Sequence, residues 1–206
     1  MLFNIIEPIA PDNYVAFTFF TGYIAMLAAS VFFFVERGSV SPKWKMSLLV
    51  SALITGIAAV HYYYMRDYNL ATGDSPTFFR YVDWILTVPL MCVEFYLLTK
   101  LAGAKKSLLW KLILASTWML VCGYIGESFN PGGGAAAAHS VTWGILSTLG
   151  YLYILYNVWF GEVAQLAAKS NSDTIKQGVR YLGWFVLVGW SIYPIGYMCM
   201  DGGWLS

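Results

Sequence analysis

Arg80-Tyr81-Val82-Asp83-Trp84-Ile85-Leu86-Thr87-Val88-Pro89-Leu90-Met91-Cys92-Val93-Glu94 is the stretch that decides how this chain is read. It lies in an apolar segment, residues 77–99, close to the ~20 residues a bilayer-spanning helix needs. Yet it holds three ionisable side chains, Arg80, Asp83 and Glu94. Each such group at the centre of a span costs at least ~2.5 kcal/mol on insertion scales, and such groups usually mark function. At 1.5 Å of rise per residue the two carboxylates stand roughly 16 Å apart along the axis. Their spacings bring Asp83, Thr87 and Glu94 within about 40° of one another around a 3.6-residue helix. The three form a stripe on one face, on the path of something that crosses a membrane.

Arg80 and Asp83 sit one turn apart, and mutual neutralisation near the interface is the plain alternative for that pair. Glu94 has no base near it in sequence. Desolvation among Val88, Leu90, Phe95 and Leu97 favours its neutral form. An ionised outer acid and a neutral inner acid on one helix face make a proton acceptor and a proton donor. His61, on the preceding apolar segment, is placed to hydrogen-bond Asp83, although a lone membrane histidine bonds a backbone carbonyl just as readily.

The rest of the chain agrees with a membrane setting. Of 206 residues, 59% are hydrophobic and only 11% are charged, against roughly 25% charged in soluble domains. With a mean hydropathy of +0.61 and a net charge of +1, a disordered chain, a basic nucleic-acid binder and an ordinary cytosolic enzyme are excluded. Six apolar segments are readable, at residues 13–35, 46–65, 77–99, 107–126, 139–160 and 179–200. The punctuation between them includes Gly38 and Pro42, Gly73 and Pro76, Gly103, Pro131 to Gly134 and the polar stretch 169–176. The whole reads as one all-α transmembrane domain, an antiparallel helix bundle spanning 1–206.

Lys and Arg gather on alternate connections: Arg37, Lys43 and Lys45; then Lys100, Lys105, Lys106 and Lys111; then Lys169, Lys176 and Arg180. The other connections hold only Arg66. Basic residues near helix ends stay cytoplasmic, so both termini are expected outside the cell, in a multi-pass protein of the cell membrane. Residues 1–12 carry acids but no base, so no signal peptide is expected there. Cys92, Cys122 and Cys199 lie in apolar runs without a CxxC pair, which predicts buried thiols and neither disulfide nor metal site. Tyr62, Tyr63, Tyr64 and Tyr68, and Tyr153, Tyr156 and Trp159, read as aromatic interface belts.

The run from Arg80 to Leu90 closely resembles the third helix of microbial (type 1) rhodopsins, and Glu94 makes it similar to the proteorhodopsin and xanthorhodopsin branch of light-driven proton pumps. Gly189-Trp190-Ser191-Ile192-Tyr193-Pro194-Ile195-Gly196-Tyr197 is similar to the sixth helix of that family, and Leu152-Tyr153-Ile154-Leu155-Tyr156 to the fifth. The resemblance implies a retinal-binding, outward proton pump, a photoreceptor protein rather than an enzyme, in which Asp83 is the counterion and proton acceptor and Glu94 the proton donor. By the same resemblance Arg80, Thr87 and His61 support the counterion, and Trp84, Met91, Trp190, Tyr193 and Pro194 bind retinal. Met91 implies green absorption. An Asp-Thr-Glu triplet differs from those of the chloride and sodium pumps.

Gly144 falls where many relatives have a bulky residue, and in xanthorhodopsin-like members such a gap admits a carotenoid antenna. The neighbouring Trp143 is the alternative ring-facing residue, and close helix packing is the plainer role for a glycine. The family often forms pentamers or trimers. It also has a seventh helix bearing the Schiff-base lysine. The eight lysines here lie in or beside the basic connections, so six spans of an expected seven are read and no Schiff-base lysine is found among residues 1–206. A chromophore-free membrane scaffold and a sensory photoreceptor are the other functional classes; Glu94 weighs against the sensor.

Overall fold

The structure is a computed structural model that describes residues 13–129 and 135–199. The readings of residues 1–12, of the Pro131–Gly134 turn and of residues 200–206 lie outside the described residues. Among the described residues the chain is helical throughout, without strands.

Helix α1, Tyr14–Glu36, is started by Asn13, whose side chain accepts from the Ala16 N–H at 2.9 Å, filling one of the donor vacancies of a helix N-terminus. It buries little besides Ala16 and Ser30, and turns Phe17, Leu27 and Phe32 outward. An apolar exterior of this kind suits lipid, not water. A short 3₁₀ turn at Pro42–Trp44 leads into α2, Lys45–Thr72. The apolar segment read in the sequence ends at residue 65. The helix instead continues seven residues further. Arg66 is buried by resting on the rings of Tyr23 and Tyr63 and pairing with Asp67 at 2.7 Å. The stop comes at Gly73, whose φ of +74° makes the left-handed cap that glycine adopts without penalty.

Helices α3, Thr77–Lys100, and α4, Lys106–Ser128, follow across short turns, and α5 spans Ala135–Trp159. Each of these helices packs against the one before it, as an up-and-down bundle requires. Four of them, α1 to α4, are long and apolar enough to cross a membrane as single helices. The sixth span is composite. A short helix the sequence reading missed, α6 (Glu162–Lys169), buries Val163 and Ala167 and is tied to α4 by Lys111–Glu162 at 3.5 Å. Then α7 (Asp173–Trp184) begins well before residue 179, because Ile175 and Val179 already supply a buried stripe behind a polar exterior. Five residues of π-helix, Phe185–Gly189, join it to α8, Trp190–Met198.

The bundle is unevenly filled. Its core, with Phe95, Leu108, Leu112, Ile154, Val158, Val163 and Val179, lies toward the lysine-rich end. The other half surrounds a large cavity. Tight helix contact is enforced at Gly150, where an added Cβ would meet the Ala115 carbonyl oxygen at 2.8 Å.

Candidate functional site

The cavity has a volume of about 690 Å³, within the 300–1,000 Å³ range of small-molecule sites. Its walls come from α1 to α5 and from the composite sixth span, and include Tyr62, Asp83, Trp84, Met91, Trp190 and Tyr193. Trp84 and Tyr193 meet edge to face at 4.6 Å in its wall. Thr87, Pro194 and Gly144 line it as well. Asp83, Thr87 and Glu94 are all buried on α3, and Asp83 and Thr87 share the cavity wall. Glu94 lies beyond it, toward the packed core.

The immediate partners differ from a simple reading of spacing. Thr87 donates to the backbone carbonyl of Asp83 at 3.0 Å, not to its carboxylate. His61 Nδ1 bonds the Ile57 carbonyl at 3.0 Å and stands 3.7 Å from Asp83 Oδ1. The backbone acceptor one turn back is the nearer partner for its ring N–H. Arg80 does not neutralise Asp83: its guanidinium pairs with Glu127 of α4, donates to Thr77 Oγ1 at 3.1 Å and lies 5.6 Å over the Trp84 ring. Asp83 Oδ1 is left buried without a hydrogen-bond partner. The cavity thus has one unanswered carboxylate oxygen in a largely apolar wall, which fits an elongated apolar molecule carrying a single positive or donor group, as retinal does when joined to an amine. Among the described residues, no lysine lines the cavity.

Glu94 is differently supplied. Ser47 and Ser51, one turn apart on α2, both donate to its carboxyl group, Ser51 at 2.9 Å. The sequence reading missed both serines and Glu127. The signal available was the pair of hydroxyls four apart on an apolar helix, and an acid among the small residues of Gly123 to Ser128.

Some aromatic assignments change. Tyr62 lines the cavity and Tyr63 packs on Arg66, while Tyr64 and Tyr68 are exposed as a belt requires. Gly144 is in the cavity wall, whereas Trp143 is absent from it and donates its indole N–H to His139 at 2.9 Å.

These features define a helical membrane protein with a buried apolar chamber, and the comparisons give the class its name. The bacteriorhodopsin-like protein family matches residues 13–205, and the chain belongs to that family. The green-light absorbing proteorhodopsin of Gamma-proteobacterium EBAC31A08 is 44% identical over 200 residues, covering 93% of this chain and 76% of that protein. The blue-light absorbing proteorhodopsin of Gamma-proteobacterium Hot 75m4 is 47% identical over 173 residues, covering 84% of this chain and 66% of the relative. Among solved structures, blue light-absorbing proteorhodopsin from Med12 superposes with a TM-score of 0.73 at 42% identity over 90% of this chain and 80% of that one. Xanthorhodopsin, described as a light-driven ion pump with dual chromophore, gives 0.76 at 31% identity, covering 90% of this chain and 78% of that one. The fold is that of a microbial rhodopsin, and the protein is a multi-pass membrane protein.

Proposed function

We propose that this chain forms the retinal chamber and proton path of a light-driven outward proton pump. The observation that carries the reading is the pair of buried carboxyl groups on one face of α3, Asp83 at the chamber and Glu94 beyond it. Retinal, when bound through a lysine amine, would supply light absorption and an isomerisation that changes the proton affinity of the linking nitrogen. Trp84, Met91, Trp190, Tyr193 and Pro194 hold the polyene and exclude water. Asp83 balances positive charge and accepts a proton on its free oxygen, with Thr87 holding its backbone carbonyl and His61 standing 3.7 Å from that oxygen. Arg80, paired with Glu127, borders the way out. Glu94 holds a proton on the lysine-rich side, where Ser47 and Ser51 keep its carboxyl in place. On this reading that side is cytoplasmic, the N-terminus is outside, the membrane is the cell membrane, and the protein assembles as a pentamer or trimer.

Attachment of retinal needs a lysine-bearing seventh helix, so the test uses the chain continued through such a helix, in cells given all-trans retinal. Illumination should acidify the medium, and the signal should vanish with a protonophore. A coloured protein whose illumination leaves the pH unchanged would sink the reading. Glu94→Gln should slow recovery of the dark state by about 10²-fold, the usual worth of a positioned proton donor. Flash spectroscopy reads it directly, and recovery as fast as the parent's would remove Glu94 from the path.

A carotenoid antenna extends the same proposal. Gly144 contributes no side chain to the chamber wall, leaving room beside the ring end of a polyene. In the seven-helix form incubated with a hydroxylated carotenoid, Gly144→Trp should abolish any carotenoid band in the action spectrum. A band that survives would place the window elsewhere.

A further inference from the structure

A second cavity, of about 200 Å³, opens at the lysine-rich end between the end of α5, α6 and α7. It is separate from the retinal chamber, and nothing in the proton path uses it. Its floor is apolar, made by Val158, Val179 and the alanines of α6, Ala164 and Ala168 among them. Two cations stand on its wall, Lys176 and Arg180, one helical turn apart on α7 and therefore on one face. Both side chains are exposed at this end of the bundle. Lys176 has a loose pair with the exposed Asp173 at 3.7 Å, whereas Arg180 has no ion pair among the described residues. Among the described residues, no acid lines the cavity, Asp173 included.

The third polar group is Trp159. Its indole N–H is buried and has no hydrogen-bond partner among the described residues, a deficit that a bound acceptor relieves. Its ring is fixed edge to face against Trp184 at 5.1 Å. The Cε2–Cζ2 edge of the ring, next to that nitrogen, lies against Gly183: a Cβ built there would stand 3.4 Å from Cε2 and 3.5 Å from Cζ2. Gly183 is itself in the cavity wall. An apolar slot with two cations and an unanswered N–H beside it matches one kind of molecule: an amphiphile with an anionic, oxygen-rich head and a hydrocarbon body. Arginine and lysine clusters at the cytoplasmic end of a bundle bind lipid phosphates in this manner, and Arg–phosphate hydrogen bonds are among the stronger polar contacts.

We infer that the cleft between α5, α6 and α7 is a binding site for the phosphate head of an anionic phospholipid, held by Arg180, Lys176 and the Trp159 indole N–H, with an acyl chain on the apolar floor. The inference rests on the membrane setting and not on proton pumping. The test is native mass spectrometry of the full chain released from detergent, titrated with phosphatidylglycerol, with phosphatidylcholine or with inorganic phosphate. Phosphatidylglycerol should bind as a discrete 1:1 adduct at least tenfold tighter than phosphatidylcholine. Lys176→Gln with Arg180→Gln should remove that preference, and Trp159→Phe should weaken the adduct several-fold while keeping the ring. Lys105→Gln with Lys106→Gln, which takes the same charge from the start of α4, should leave it unchanged, and circular dichroism verifies that each variant is folded. Equal binding of the two lipids, an adduct indifferent to the α7 pair, or full competition by inorganic phosphate alone would each overturn the inference.

Discussion

Asp83→Asn should yield a folded, retinal-loaded protein that no longer acidifies the medium in light. Asparagine keeps the shape of the side chain and removes both the negative charge and the ability to accept a proton. The structure makes this a clean substitution. Asp83 Oδ1 has no hydrogen-bond partner to lose, Thr87 addresses the backbone carbonyl, and Arg80 is committed to Glu127. A neutral amide also costs less to bury than a carboxylate, so thermal stability should be equal or higher. The experiment compares initial acidification rates at matched pigment content in the seven-helix form. Undiminished acidification in the variant would refute the assignment of Asp83 as acceptor, whatever else the chamber does.

The largest structural effect is expected at Gly150. An alanine there would place its Cβ 2.8 Å from the Ala115 carbonyl oxygen and 2.9 Å from Met119 Cβ. Neither atom can swing away, since one is helix backbone and the other is the first carbon of a side chain. The only relief is to move α5 off α4, and overpacking of this kind costs about 1–3 kcal/mol. Because Met119 is in the chamber wall and Ser147 donates to the Met119 carbonyl at 2.7 Å, the same shift should disturb the chamber. Gly150→Ala should therefore lower resistance to denaturation in sodium dodecyl sulfate. Gly178→Ala is the control: its Cβ would make ordinary contact with Leu98 at 3.5 Å and should be neutral, or stabilising by up to ~1 kcal/mol from helix propensity. If both glycines tolerate alanine equally, the close approach of α4 and α5 is not what sets their spacing.

Much of this was legible in the residues. Long apolar runs have one inexpensive solution in a membrane, so the helices and the face shared by Asp83, Thr87 and Glu94 could be read directly. Partners across helices could not. Arg80 and Asp83 are neighbours in sequence, yet Glu127, 47 residues away, takes the guanidinium. Ser47 and Ser51 give no sign in the chain that Glu94 will meet them. Helix ends failed for a related reason. Arg66 looks like the end of a span until Tyr23 and Tyr63 cover it, and α7 looks like loop until Ile175 and Val179 are seen in the core. Gly144 against Trp143 was a one-residue ambiguity, and helix rotation separated them.

The π segment in the sixth span changes the mechanics of the whole bundle. A continuous α-helix is a rod that carries a push at one end to the other. At Phe185–Gly189 the regular ladder gives way to a wider turn, and Tyr151 of α5 reaches across to the carbonyls of Val186 and Leu187 at 3.2 and 3.0 Å. The span is thus two levers on a pin. One arm presents Trp190 and Tyr193 to the chamber, and the other carries Lys176 and Arg180 at the membrane surface. Their joint is held by a hydroxyl from a neighbouring helix, so the stiffness of the sixth span is a property of two helices taken together.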